Sequence, residues 1–258
     1  MEDLLTENID CILSFFFFFF VKDDKVKSFG IGNIVKRLKL EFYYHRKKNT
    51  DKNENLGIDG EHKIARLLLQ LPKGYYVFND IVLLPTVSTN SKISTNDYHK
   101  PQIDHIVLSK FGVFTIETKN WQGKISGEPD SDNFIQLINH TMYHDLNTEY
   151  CSQEKYNTSN EYGNPIVQNN KHVEKLNELL GLRINQNNSI VVFTDRAESI
   201  DCDDMSVVCE KDLLGKIQSY QEIAFTEEEL LRIGNQIVDF CEVGLIMSRE
   251  FYKNTFFR

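Results

Sequence analysis

The spacing of hydrophobic residues downstream of position 56 predicts helices and strands in alternation. Apolar residues recur every three or four positions over residues 59–71, as on the buried face of a helix, and Pro72 ends that pattern. A tight turn at Lys110 and Phe111 would join two of the strands that follow. Runs rich in branched and aromatic residues predict strands at residues 75–84, 102–109, 112–121, 189–194 and 206–209.

Two further helices have recognisable start signals. Asn164 followed by Pro165 combines a preferred N-cap residue with proline at the first helical position, and Gly181 marks the end of that helix. Thr226 and Glu229 form a capping-box pattern that opens a last helix, which runs to about residue 242. The order of elements predicts an α/β fold with a mixed central sheet flanked by helices.

The same pattern predicts three parts of the chain. Residues 1–56 form a hydrophobic and then basic N-terminal segment, whose last part, residues 45–56, has the polar composition of a linker. Residues 57–200 form the main domain, and residues 201–258 form a strand and helix extension packed on it. Two polar stretches, residues 86–100 and 128–162, are predicted to be irregular.

The N-terminal segment contains an apolar run at residues 11–21, with six consecutive phenylalanines. This run covers only part of the stretch of about 20 apolar residues that a helix needs to span a bilayer. The acidic residues before it argue against a secretory signal peptide. If the run inserted into a membrane, the lysines after it would place the downstream domain in the cytoplasm. Two interpretations remain open: membrane contact at the inner face, and a buried or self-associating segment.

Charge is distributed unevenly along the chain. The net charge of −9 argues against a protein that coats nucleic acid over its whole surface. Residues 22–52 nevertheless hold ten Lys and Arg against four acids, a strip that can contact phosphates or anionic lipid or simply be solvated. The candidates for nucleic-acid contact in this strip are Lys36, Arg37, Lys39, Arg46, Lys47 and Lys48. The five cysteines include no C-x-x-C pair, which favours a reducing compartment.

Side-chain alternation along the predicted hairpin brings two carboxylates together. With a two-residue turn, Asp104 lies opposite Glu117, and both side chains point to the same face of the sheet. Facing carboxylates repel each other by several tenths of a kcal/mol or more, so this arrangement favours a bound cation. Oxygen ligands of this kind suit Mg²⁺ or Mn²⁺ better than zinc.

Two more residues complete the candidate site. Lys119 shares a face with Glu117 and can act as a counter-ion, orient a water or stabilise charge developing on a phosphate. Glu61 lies three residues before Ile64 on the apolar stripe of the first helix, from which it can reach the hairpin as a third ligand or a base. Alternatively, Glu61 is a surface acid in the first turn of that helix.

The blocks around these residues resemble the nuclease-related domain family. The specific part of the resemblance is the pair of motifs Gln102-Ile103-Asp104-His105-Ile106 and Ile116-Glu117-Thr118-Lys119-Asn120-Trp121. Further matching positions are Gly57, Gly60, Glu61, Leu71, Pro72, Val77 to Ile81, Gly112, Gly123, Gly127, Asn164, Pro165, Gln168 and Val191 to Phe193. The chain departs from the family pattern at Phe134, where the family often has tryptophan, and at residues 136–162, which are longer than usual.

The resemblance implies a restriction-endonuclease-like fold of the PD-(D/E)xK type. It also implies metal-dependent hydrolysis of nucleic-acid phosphodiester bonds, most directly of DNA, by internal or terminal cutting. In that pattern Asp104 is the metal-binding acid, Glu117 and Lys119 are the E-x-K pair, and Glu61 is the helix acid, so the implied metal ligands are Asp104, Glu117 and Glu61. Gln102 and Gln168 match polar residues near the site.

Other interpretations of the same residues remain open. A non-catalytic module on this fold would bind nucleic acid or a membrane partner without cutting, and the acidic body and the phenylalanine run are compatible with it. His140 and His144 could share a helical face as a weak zinc candidate. His105 is expected to point away from Asp104 and to be packed. The sequence leaves the oligomeric state open.

Overall fold

The computed structural model describes residues 31–48, 51–83, 101–145 and 151–246. The chain divides into two compact units, residues 1–39 and 40–258. The described part of the first unit is the start of helix α1 (Ile31–Lys47), which continues into the second unit. The apolar run at residues 11–21 and the predicted loop at residues 86–100 lie outside the described residues.

The second unit contains the remaining elements in the order α2 (Lys52–Leu68), β1 (Tyr75–Leu83), β2 (Gln102–Ser109), β3 (Gly112–Lys119), β4 (Gly123–Ser126), β5 (Asn133–Asp145), β6 (Cys151–Gly163), α3 (Pro165–Leu180), β7 (Asn187–Phe193), β8 (Ala197–Asp201), β9 (Val207–Cys209), α4 (Leu213–Gln218), α5 (Glu227–Phe240) and β10 (Cys241–Ile246). Short 3₁₀ turns lie at Ile184–Gln186 and Glu210–Asp212. No helix within the described ranges is long and apolar enough to cross a membrane.

A six-stranded mixed sheet forms the centre of this unit, in the order β10-β1-β2-β3-β7-β9. β2 pairs antiparallel with β1 and β3, whereas β7 runs parallel to both β3 and β9. The mixed α/β fold expected from the sequence is therefore confirmed. A second sheet has the order β6-β5-β4-β8, and its strand β4 follows β3 after three residues.

Hydrophobic side chains connect the central sheet to helices through separate core clusters. One cluster contains Val107 and Phe114 together with Ile64 and Leu68 of α2. Another contains Ile106 and Val113 together with Leu176 of α3 and Ile237 of α5. Adjacent strand residues belong to different clusters, as expected where alternate side chains point to opposite faces. Burial of both faces explains why β2 and β3 read as nearly continuous apolar runs.

Several predicted boundaries agree with the structure because local capping chemistry sets them. Asn164 caps α3 by accepting from the amides of Ile166 and Val167, and Gly181 ends it in the left-handed conformation, at φ 65°. The reciprocal capping box of Thr226 and Glu229 is present at the start of α5.

The predictions of a linker at residues 45–56 and of an irregular segment at residues 128–162 are both wrong. Residues 45–56 are not a linker, since α1 extends to Lys47 and α2 begins at Lys52, where Asp51 accepts from the amides of Asn53 and Glu54. Residues 128–162 are mostly the antiparallel hairpin of β5 and β6, whose polar composition hides a strand pattern.

The zinc candidate of His140 and His144 required a helix, but these residues lie on a strand. Residues 140 and 144 lie on strand β5, so four positions separate them by about 13 Å instead of one helical turn. The side chain of His140 stacks on Tyr156 and pairs with Thr158, which accounts for it without a metal.

Candidate active site

Asp104 and Glu117 lie where the pairing of β2 and β3 ends. The predicted register holds through the last pair, His105 with Ile116, and its continuation sets Asp104 against Glu117. Beyond that pair, the Asp104 side chain joins the two strands, because its Oδ2 accepts a hydrogen bond of 2.7 Å from the amide of Thr118. Both carboxyl groups are buried, with Asp104 9% and Glu117 4% exposed. Two acids therefore lie inside the protein at the end of the hairpin.

Burial and neighbouring acids raise the pKa values of Asp104 and Glu61. Burial raises the pKa of Asp104 well above its usual value, and the nearby Glu117 and Glu61 carboxylates raise it further. Burial also raises the pKa of Glu61; Lys47 opposes this effect, while Asp80 and Glu117 add to it. These effects place Glu61, Asp104 and Glu117 in one electrostatic neighbourhood.

Glu117, Lys119 and Gln168 form a closed triangle of hydrogen bonds. Lys119 Nζ donates to Glu117 Oε1 at 2.7 Å and to Gln168 Oε1 at 3.0 Å, while Gln168 Nε2 donates to Glu117 Oε1 at 2.8 Å. The triangle joins β3 to α3 and fixes the lysine against the acid.

The second oxygen of Glu117 has a different environment. Glu117 Oε2 is buried and makes no hydrogen bond within the described structure. His172 Nδ1, one turn beyond Gln168 on α3, lies 3.7 Å from it and also lacks a hydrogen-bond partner there. Burial lowers the pKa of His172, with Glu117 opposing the effect, so the ring is mostly neutral near pH 7. A buried carboxylate oxygen without a donor leaves an acceptor position available to a ligand.

A second cluster surrounds Glu61. Lys47 Nζ lies 2.7 Å from Glu61 Oε2 and 3.3 Å from Asp80 Oδ2. Asp80 also accepts from Gln102 Nε2 at 2.7 Å and from the hydroxyl of Tyr43. Glu61 is thus bound to a lysine of α1, and Gln102 reaches the site through Asp80.

The described basic residues of the strip lie in different environments. Lys47 lies in the candidate site, Lys48 pairs with Asp59 at 2.6 Å, and the Arg46 guanidinium lies 5.4 Å from the centre of the Phe42 ring. Lys36, Arg37 and Lys39 belong to the part of α1 in the first unit.

Sequence reasoning missed Asp80, Tyr43 and His172. Each carried a usable signal: Asp80 lies in the family-matching block from Val77 to Ile81, and His172 follows Gln168 by four residues on one helical face. Tyr43 precedes Lys47 by the same interval, but the linker predicted at residues 45–56 placed Lys47 outside any helix.

The long hairpin of β5 and β6 reaches the site through Trp121. The Trp121 ring stacks on Tyr162 of β6, with ring centres 4.6 Å apart, and Lys119 Nζ lies 5.8 Å from the Trp121 ring centre.

His105 is fully buried, and its Nδ1 pairs with Asn79 Oδ1 at 2.8 Å. Burial lowers the pKa of His105 to about 3, so this ring is a packed neutral group.

The donor chemistry fits a hard divalent cation. The described residues contain no group of three or more His, Cys, Asp or Glu side chains placed to hold a metal. Asp104 and Glu117 nevertheless offer carboxylate oxygens, including the unpaired Oε2 of Glu117. Mg²⁺ commonly takes one or two protein carboxylates and completes its shell with water and phosphate. These two acids therefore suit Mg²⁺ or Mn²⁺.

Comparison with known proteins identifies the family of this chain. The profile of the nuclease-related domain family matches residues 56–194, which include Glu61, Asp104, Glu117, Lys119 and Gln168. The chain belongs to this family, which is part of the restriction-endonuclease-like superfamily.

An uncharacterized protein of Bacillus anthracis is 28% identical over 187 residues, which cover 70% of this chain and 75% of that protein. No solved structure matches the chain.

Proposed function

We propose that this chain is a nuclease that uses Mg²⁺ or Mn²⁺ to hydrolyse phosphodiester bonds, with DNA as its substrate. The observation that carries the proposal is the buried pair Asp104 and Glu117, whose charges lie together at the end of the hairpin with one carboxylate oxygen unpaired. In a structural ion pair the opposite charges cancel. Among the described side chains, Asp104 and Glu117 have only the Lys119 cation beside them, so these three side chains keep an excess negative charge.

Asp104 and Glu117 would hold the ion, and Glu61 would assist as a nearby acid that is paired with Lys47. A divalent ion at such a site polarises a phosphoryl group and lowers the pKa of a bound water. The amide of Thr118 fixes the orientation of the Asp104 carboxylate, and Gln168 fixes that of Glu117. This pre-orientation avoids reorganisation of the acids when substrate arrives.

Lys119 would supply positive charge to the phosphate. Its ammonium lies beside Glu117 and Gln168 and is 17% exposed, so it is held in place but accessible. An ammonium fixed beside the reacting group stabilises the negative charge that develops on the phosphate oxygens. Gln102 is a positioning residue in this proposal, because its amide acts on Asp80.

The remaining assignments stay predictions. Contact of the basic strip with DNA, and membrane contact through residues 11–21, rest on the sequence. Of the basic residues, Lys47 lies beside the acids of the site.

Cleavage assays with the full chain test the proposal. Supercoiled plasmid, linear duplex, single-stranded DNA and RNA are incubated with Mg²⁺, Mn²⁺ or EDTA. We expect DNA cleavage that requires the ion and falls by about 100-fold or more in Asp104→Asn and in Lys119→Met. Lys63→Met is the matched control, because Lys63 pairs with Asp195 and Glu210 outside the site.

The opposite outcome has a defined meaning. Tight DNA binding without cleavage, unaffected by Asp104→Asn and Lys119→Met, would support the non-catalytic module instead. Cleavage of RNA alone would retain the chemistry and correct the substrate.

A further inference from the structure

Helix α1 reaches the candidate site from outside the family match. The match begins at residue 56, whereas Tyr43, Tyr44 and Lys47 precede it on α1. Residues four apart on a helix share a face, so Tyr43 and Lys47 approach Asp80 together. Tyr44 is fully buried. Burial raises the pKa of its hydroxyl, and the nearby Glu61 and Asp104 carboxylates raise it further. The last turns of this helix are therefore part of the site.

Lys47 is held between two acids and is not a mobile surface lysine. Its side chain is 22% exposed, and its partners Glu61 and Asp80 are 15% and 16% exposed. Asp80 is fixed from other directions by Gln102 and Tyr43, and it adopts a φ of 57°, which non-glycine residues rarely adopt. The acceptor that anchors Lys47 is thus itself rigidly placed.

The lysines divide the acids of the site into separate groups. Lys47 pairs with Glu61 and Asp80, and Lys119 pairs with Glu117. Asp104 forms no ion pair within the described part of the chain. The group of Asp104, Glu117 and Lys119 therefore has one more negative charge than positive charges, as does the group of Glu61, Asp80 and Lys47. The nearby Glu117 charge raises the pKa of Glu61, but Glu61 is bound to Lys47, in keeping with the lack of a three-acid metal group among the described residues.

We infer that Lys47 is a built-in counter-ion that withholds Glu61 from the divalent-ion site and thereby limits that site to Asp104 and Glu117. The inference rests on the proposed function, because it presumes that an ion binds these acids. Removal of the Lys47 ammonium releases the bound oxygen of Glu61 and adds a third negative carboxylate beside the ion. Affinity for a divalent cation rises with the number and charge of its oxygen ligands.

Titration of the full chain with Mn²⁺ alone tests this inference. Isothermal calorimetry, with free Mn²⁺ counted by electron paramagnetic resonance, gives the dissociation constant without an activity assay. We expect Lys47→Met to bind Mn²⁺ about tenfold more tightly than the parent chain. The gain should disappear in the double variant Lys47→Met/Glu61→Gln. Lys63→Met, which also removes a lysine shared by two acids, should bind as the parent does.

The controls separate folding, the inference and the proposed function. Circular dichroism checks each fold, and Lys47→Gln, whose amide can still donate to Glu61, replaces Lys47→Met if the latter unfolds. Equal or weaker Mn²⁺ binding in the Lys47 variant, with parent binding abolished by Asp104→Asn, would overturn the inference alone. Parent binding that survives Asp104→Asn would remove the proposed ion site and the inference with it.

Discussion

Replacement of Asp104 by asparagine should stabilise the protein while removing the proposed ion site. Facing residues on antiparallel strands have Cβ atoms about 5 Å apart, and two carboxylates at about that separation repel by about 3 kcal/mol at an effective dielectric near 20. Asparagine removes this repulsion and keeps an acceptor for the Thr118 amide. A neutral acceptor is weaker than a carboxylate by about 1 kcal/mol. The net gain is therefore about 2 kcal/mol in the free energy of unfolding.

Thermal unfolding in EDTA at pH 7.5 measures this gain. For a domain of this size, 2 kcal/mol corresponds to a rise in Tm of about 4–8 °C. Mn²⁺ at about 100 times its Kd should stabilise the parent chain by about 2.7 kcal/mol and leave Asp104→Asn unchanged. Asp59→Asn is the control: Asp59 is an exposed partner of Lys48, and its loss should shift Tm by no more than about 1 °C.

The pH dependence gives a second measurement with a fixed sign. Burial raises the pKa of Asp104 in the folded state, so the native protein binds its proton more tightly than the unfolded chain does. Its ionised form is thus destabilising at neutral pH, and stability returns as the pH falls through the raised pKa. The advantage of Asp104→Asn should shrink on acidification. An unchanged or lower Tm for Asp104→Asn at pH 7.5 would refute the argument from repulsion.

Two further substitutions test how the site is supported. Gln168→Leu removes the amide that donates to Glu117, and we expect cleavage to fall by about 10- to 100-fold with Tm retained; an unchanged rate would contradict the supporting role. Gly60→Ala would place a Cβ 2.6 Å from Asn120 Cβ and should cost about 1–3 kcal/mol in urea unfolding. Gly57→Ala meets nothing within 4 Å and should instead stabilise α2 by about 0.5–1 kcal/mol; equal midpoints for the two alanines would contradict this packing.

The hairpin and its register could be predicted from sequence because local chemistry determines them. Side-chain alternation and a two-residue turn fix which residues face each other, and the structure continues that register to His105 and Ile116. The cap at Asn164 and the left-handed Gly181 are likewise local signals. Such features need no knowledge of the distant partners of a segment.

The cluster around Lys47 could not be predicted, since it depends on contacts distant in sequence. A lysine in a polar, basic stretch has the composition of a linker, and nothing local shows that it lies 2.7 Å from Glu61. The hairpin of β5 and β6 escaped for a related reason. Its strands are stabilised by pairing with each other and with β4, and they lack the apolar alternation that identifies a half-buried strand.

The acids and lysines of the candidate site come from separate parts of the chain. Asp104, Glu117 and Lys119 lie on the paired strands β2 and β3, so backbone hydrogen bonding sets their spacing. Lys47 comes from a helix outside residues 56–194, where the family match places no constraint. If Lys47 withholds Glu61 as inferred, a relative with the same hairpin but without this lysine would leave Glu61 available to a bound ion. Domains with identical motif acids would then differ in affinity for a divalent ion, and the difference would lie in the segment that precedes the domain.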